Sequence, residues 1–143
     1  MLQYIKGNLF DASTDALAHG CNIKGKMYEG IANEFRQRFP AMFHDYKKRC
    51  ENGEFQLGQG YMYQIGEKPY IINLATQAKE NSRVQDIDKS LAWLAESYEE
   101  LGIRSVAMPR IGCGLGRLEW EVVHSLLQKH FEKSDLNVEI WKL

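Results

Sequence analysis

The segment Met108-Pro109-Arg110-Ile111-Gly112-Cys113-Gly114-Leu115-Gly116-Arg117 sets three glycines at alternate positions between an apolar run and a helix-like stretch. Glycine has no Cβ, so alternating glycines let backbone N–H groups close on an anion such as a phosphate. The stretch that follows, Leu118 to Phe131, could turn the positive end of a helix toward the same anion. Taken alone, this spacing also fits a tight strand-to-helix turn with no ligand. A second segment has a similar setting: Gly20-Cys21-Asn22-Ile23-Lys24-Gly25-Lys26-Met27-Tyr28-Glu29-Gly30 follows Ala16-Leu17-Ala18 and precedes a helix candidate, Ile31 to Phe39. In α/β folds such loops gather at the carboxyl ends of the strands. Two of them in one short chain suggest a diphosphate held between loops.

The elements that must position these loops follow from the apolar period. Leu2 to Lys6 reads as a first strand and Ala16 to Ala18 as a short buried second one, after the Asp11-Ala12-Ser13-Thr14 turn. From Gly30 the period becomes helical, with Ile31, Phe35 and Phe39, then Met42, Phe43 and Tyr46; Pro40 predicts two helical pieces or a kinked one. Gly60 to Gly66 and Pro69 to Thr76 are strand-like and joined by a hairpin turn at Gly66-Glu67-Lys68-Pro69. A polar stretch, Gln77 to Arg83, leads into a helix over Val84 to Leu101 striped by Ile87, Leu91, Leu94 and Tyr98. Ser105 to Met108 is a further buried strand. A helix marked by Leu118, Val122, Leu126 and Phe131 and a strand at Val138 to Trp141 complete the chain. Strands interleaved with helices predict one domain over residues 1–143, an α/β/α three-layer sandwich with a central mixed sheet.

The chain has 143 residues, enough for a sizeable core, and carries 18 Lys and Arg against 19 Asp and Glu, for a net charge of -1. That balance predicts neither bulk nucleic-acid binding nor attraction to an anionic membrane, and is compatible with a small anion held by backbone amides. The 3 cysteines, Cys21, Cys50 and Cys113, are an odd count without the close spacing of a metal or redox motif. With no signal-like or membrane-spanning run in the sequence, a reducing cytoplasmic setting is the simplest expectation. Cys21 and Cys113 fall in the two candidate loops. Without a histidine at motif spacing they read as small fillers rather than nucleophiles.

Several ordered motifs together carry a resemblance. Gly7-Asn8-Leu9-Phe10, Asp15-Ala16-Leu17-Ala18-His19, Gly30-Ile31-Ala32, Ile72-Asn73-Leu74-Ala75-Thr76 and Met108 to Gly114 resemble the macrodomain family across residues 2 to 143. The likeness is nearest to the branch of terminal ADP-ribose glycohydrolases and of antitoxins that remove ADP-ribose from DNA bases. It implies a cleft for ADP-ribose, as ligand or product, with no cofactor and no metal. It implies that Lys24 to Gly30 surround the distal ribose, with Asn22, Met27, Tyr28, Gly30 and Ile31 as ligand contacts, while Gly112, Cys113, Gly114, Leu115 and Gly116 wrap the diphosphate. Thr76 would line the cleft at the end of the central strand. At the adenine end it implies Asn8 and Leu9, with Asn8 standing where the family usually has an aspartate; an amide oxygen can still accept from the adenine amine. Trp141 matches an aromatic position near adenine, where an indole would stack or else merely pack the last strand. Asn22 would orient the distal ribose or begin an Asx turn.

Two departures bear on catalysis. The glycohydrolase-like relatives carry a lysine where this chain has Gln77, and an aspartate where it has Gly116. A glutamine amide replaces neither an amine nucleophile nor a base, and Arg117 cannot supply the aspartate's proton chemistry. Other groups could act instead. Glu29 could activate water or be a solvated helix-start residue; Lys79, two positions past Gln77, could reach back; His19 is acid/base-capable or a satisfied structural histidine. Three functions stay open on these residues: hydrolysis of an ADP-ribosyl linkage by a route without the usual lysine, non-catalytic reading of ADP-ribose or an ADP-ribosylated macromolecule, and removal of phosphate from an ADP-ribose phosphate. The pattern specifies no oligomeric state.

Overall fold

The chain's computed structural model describes all residues except 65, 79, 80 and 115. Lys79 and Leu115, named above as candidate site residues, therefore lie outside the described residues. Strands β1 (Leu2–Lys6), β2 (Ala16–Asn22), β3 (Gly60–Tyr63), β4 (Tyr70–Gln77), β5 (Ser105–Met108) and β6 (Asn137–Lys142) form one sheet in the order β1-β6-β5-β2-β4-β3. Every neighbouring pair is parallel except β3 with β4. Helices α1 (Gly30–Arg38) and α2 (Pro40–Glu51) cover one face; α3 (Val84–Leu101) and α4 (Trp120–Phe131) cover the other.

The two-residue period of β2 and β4 divides the core. Ala16, Ala18, Ile72 and Leu74 pack with Ile87, Leu91 and Leu94 of α3 and with Val123, Leu127 and Phe131 of α4. Leu17, Cys21, Ile71 and Ala75 face Phe35 of α1 and Met42, Phe43 and Tyr46 of α2. Both strands are buried on both sides, which is why they read as nearly continuous apolar runs. Pro40 resolves into two helices: it stands in the first turn of α2, and Phe39 before it leaves helical geometry at φ -130° and ψ 66°. Gly102, left-handed at φ 75°, ends α3 with its N–H on Tyr98 and Glu99 carbonyls.

Two of the boundaries that differ from the sequence expectation bear on the loops. The second strand runs on to Asn22, because Gly20 and Cys21 pair with Leu74 and Ala75 before the register shifts and sets Asn22 opposite Gln77. Gly20 and Cys21 are thus sheet residues, and the loop begins at Ile23. The last helix begins at Trp120 rather than Leu118, whose N–H is taken by the Gly112 carbonyl at 2.8 Å. Because β1, β2, β4, β5 and β6 run the same way, the loops after them meet at one edge of the sheet.

Candidate functional site

The glycine loop after β5 is fixed at both ends and open at its tip. Gly112 has φ 80°, and a Cβ there would stand 2.5 Å from Ile87 Cδ1 and 3.3 Å from Leu118 Cδ1. At Gly116 a Cβ would overlap Ser82 Oγ and lie 2.7 Å from the Gly112 carbonyl oxygen. Ser82, itself buried, donates its N–H to the Gly116 carbonyl at 3.1 Å, so the polar stretch after β4 folds back onto this loop. Gly114 between them is exposed, with no atom within 4 Å of the place a Cβ would take. Among the described residues, the N–H groups of Gly114 and Gly116 make no backbone hydrogen bond. Amides left unpaired in a loop held at both ends are the kind of donor an anion site requires.

The loop between β2 and α1 is held by Asn22. Its Oδ1 accepts from Lys24 N–H at 2.9 Å and from the Tyr46 hydroxyl at 2.7 Å, while Nδ2 donates to the Lys26 carbonyl at 2.8 Å. Asn22 therefore does realise the Asx-turn alternative, its carbonyl oxygen occupied and its amide retaining a second hydrogen. Met27 is 1% exposed and seated in the core with Phe35 and Phe43, so its side chain anchors the loop from beneath. Ile31 is half-buried against the same cluster, and Gly30 turns into α1 at φ 58°. Tyr28 is 53% exposed, its ring backed by the Arg36 guanidinium at 5.0 Å. Glu29, exposed, is the residue preceding α1 and makes no side-chain capping bond.

On the side of β1 and β6, Asn8 is half-buried, and its Oδ1 caps a short turn by accepting from Phe10 N–H at 3.0 Å. Leu9 is a core residue. The Trp141 ring lies over Gly7, where a Cβ would be 3.1 Å from ring atom Cζ3, and its indole N–H donates to Glu139 at 2.9 Å. Trp141 thus packs on the end of β1 while remaining only partly buried.

The titratable groups are arranged against nucleophilic catalysis by the interior. His19 is fully buried, stacked on Phe35 with centroids 3.8 Å apart, and hydrogen-bonded through Nε2 to Asn73 Oδ1 at 2.7 Å. Burial holds its pKa down to about 4, with the Asn73 bond only partly opposing. This corrects the reading of His19 as a catalytic candidate: its ring is fully buried beneath α1 and stacked on Phe35. Burial raises the Cys21 thiol well above its ordinary value, and Cys113 is also raised by burial, against a lowering influence of Arg110. Neither is an activated thiolate. Thr76 is buried, and its Oγ1 would meet a Cβ on Gly20 at 2.6 Å, so Gly20 serves the closeness of β2 to the end of β4.

The Macro domain model matches residues 18–127, which is most of the chain and spans both loops. The chain belongs to the Macro domain family. This macrodomain is 34% identical over 146 residues to a DNA ADP-ribosyl glycohydrolase of Thermus aquaticus, covering 99% of this chain and 40% of that protein. It therefore spans about two fifths of the length of that curated relative. A solved macrodomain of Mycobacterium tuberculosis DarG superposes with a TM-score of 0.92 at 36% identity, covering 100% of this chain and 98% of the other. Thermosipho africanus DarTG, solved in complex with ADP-ribose, superposes at 0.90 with 27% identity, covering 97% of this chain and 41% of the other.

Sequence reasoning missed Ser82 and Tyr46 as builders of the macrodomain's loops. Tyr46 was legible only as an apolar helix position, and Ser82 only as part of a polar stretch. The Ser82 contact gives Gly116 a steric meaning beyond a missing carboxylate. Gly116→Asp would force a side chain onto Ser82 and the Gly112 carbonyl and bury a charge, so it is expected to cost about 3 kcal/mol of stability in urea denaturation. Stability equal to the parent would show that the loop yields without cost.

Proposed function

We propose that this macrodomain binds ADP-ribose joined to a nucleic-acid acceptor. The anchored glycine loop with its open tip at Gly114 carries this reading, because a diphosphate needs converging amides that no side chain obstructs. Asn22, Tyr28, Gly30 and Ile31 would frame the distal ribose, with Met27 seating that loop from the core beneath, Gly112 to Gly116 the phosphates, Thr76 the cleft floor, and Asn8 and Trp141 the adenine, with Leu9 packed behind Asn8. The names of the relatives supply the nucleic-acid acceptor. Titration calorimetry with free ADP-ribose tests the core of the proposal. Saturable binding of one ligand per chain is expected, and absence of heat at millimolar ligand refutes it.

Hydrolysis is the second reading, favoured by one observation: the Glu29 carboxylate stands at the lip of the distal-ribose loop and is not spent on capping α1. With Gln77 in place of a lysine, a covalent amine route has no nucleophile at that position, and this reading assigns the attack to water activated by Glu29. If Glu29 is that general base, Glu29→Gln lowers the rate of ADP-ribose release from a modified oligonucleotide by about 100-fold with unchanged binding. Full turnover in the variant dismisses the assignment.

A further inference from the structure

The near-neutral total conceals an uneven distribution of charge. Residues 22–49 hold 7 Lys and Arg against 3 Asp and Glu, in a chain whose net charge is -1. They make up the loop after β2 together with α1 and most of α2. Two of the three acids are engaged: Asp45 by Arg49 at 2.8 Å and Glu34 by Arg38 at 4.0 Å.

The fold seats the loop after β2 on α2, and each of the two carries unengaged cations. Gly25, at φ 78°, is seated on α2, where a Cβ would be 3.4 Å from Lys47 Cγ and 3.7 Å from Lys47 Cα. Lys24 and Lys26 flank Gly25 and are exposed, as are Lys47 and the adjacent Lys48. Among the described residues, none of these four lysines forms an ion pair. Glu51, one turn beyond Lys47, and Glu29 are the acids nearest in sequence without an ion pair, and they leave the loop and helices net positive.

Tyr28 stands in the same loop. Arg36 backs its ring and is itself fixed by hydrogen bonds to the Met27 carbonyl at 3.0 Å and Asn33 Oδ1 at 2.6 Å. The Phe43 ring meets Tyr28 edge-on at 5.9 Å. An exposed aromatic held from behind, in a loop that carries two unpaired lysines and rests on a helix that carries two more, matches a strand with alternating bases and phosphates better than an acidic peptide, which would use the cations and leave the ring idle.

Resting on the reading of this loop as the distal-ribose side, we infer that the corner formed by Lys24, Lys26, Lys47 and Lys48 is a docking surface for the phosphate backbone of a single-stranded nucleic acid that carries the ADP-ribose. The acceptor leaves the cleft past Tyr28 and lies along the start of the loop and the outer face of α2. The surface selects the acceptor, while the glycine loop holds the ADP-ribose.

Lys47 and Lys48 lie on α2, outside the cleft, so Lys47→Glu with Lys48→Glu separates the two contributions. Fluorescence anisotropy is measured with three probes, free labelled ADP-ribose, a single-stranded oligonucleotide bearing ADP-ribose on a base, and a peptide bearing it on a glutamate, at two salt concentrations. The oligonucleotide is expected to bind about tenfold more tightly than free ADP-ribose, with the advantage shrinking as salt rises. The double variant is expected to lose that advantage and keep its affinity for free ADP-ribose. Equal affinity for all three probes, an advantage that survives the double substitution, or tighter binding of the peptide overturns the docking surface. Failure of the parent protein to bind free ADP-ribose overturns the proposed function itself, and is read in the same experiment.

Discussion

Gly114→Val is expected to lower ADP-ribose affinity by about 100-fold while leaving the unfolding midpoint of the free protein unchanged. The two effects separate because the position is empty on the protein side: no atom lies within 4 Å of the added Cβ, and the backbone there is not left-handed. On the ligand side, the branched side chain would stand where amides must approach a phosphate. Losing one or two hydrogen bonds to a charged group costs about 1.5–3 kcal/mol each, which sets the size of the loss. Its neighbours behave differently. Gly112→Val meets Ile87 and needs a left-handed valine, so it is expected to lose stability as well as binding. Calorimetric titration beside thermal denaturation distinguishes the cases. Unchanged affinity in a folded Gly114→Val protein would remove the phosphate role from this loop.

That contrast also shows where sequence reading stops. The alternation of glycines at 112, 114 and 116 was legible as a loop, yet the sequence treats the three alike. Their different roles arise from Ile87 and Ser82, residues 25 and more positions away in the chain, and only the fold brings them together. The stripe of Ile87, Leu91 and Leu94 was readable because helical spacing is local. The alternation in β4 was readable for the same reason, and so was the break at Pro40. The sequence pattern puts Gly20 in a loop, whereas it is a strand residue whose lack of a side chain makes room for Thr76 on a neighbouring strand. The motif implies Met27 as a ligand contact, whereas its side chain lies in the core. The uneven charge was present in the sequence, but its meaning depends on Gly25 resting against Lys47. Local periodicity is thus sufficient for the elements, whereas contacts across the sheet determine which residues of a motif face a ligand.

Acid is expected to weaken this fold in two distinguishable stages, the first of which belongs to His19. Its pKa is about 4 in the folded protein and about 6.5 in an unfolded chain, so the unfolded state binds the proton more readily. A depressed folded value means that the full stabilisation is present above about pH 6.5 and is lost progressively as pH falls toward 4. The shift corresponds to about 3 kcal/mol over that window. The groups that face the ring explain why no charge is accommodated: Phe35 stacks on it, the Cys21 thiol is kept neutral, and Asn73 supplies one amide oxygen while donating its own N–H to Tyr61. The second stage follows at lower pH. Asp15, lowered chiefly by its hydrogen bond from Lys68, and Asp88, lowered chiefly by that from His130, lose their contributions only below the ordinary carboxylate range. His19→Gln removes the titrating ring while retaining a hydrogen-bonding amide. Urea denaturation from pH 7 to pH 4 should therefore show a falling stability in the parent and a nearly flat one in the variant, even if the variant starts less stable. Parallel curves would mean that some other group carries the first stage, because a ring absent from the variant cannot contribute its slope.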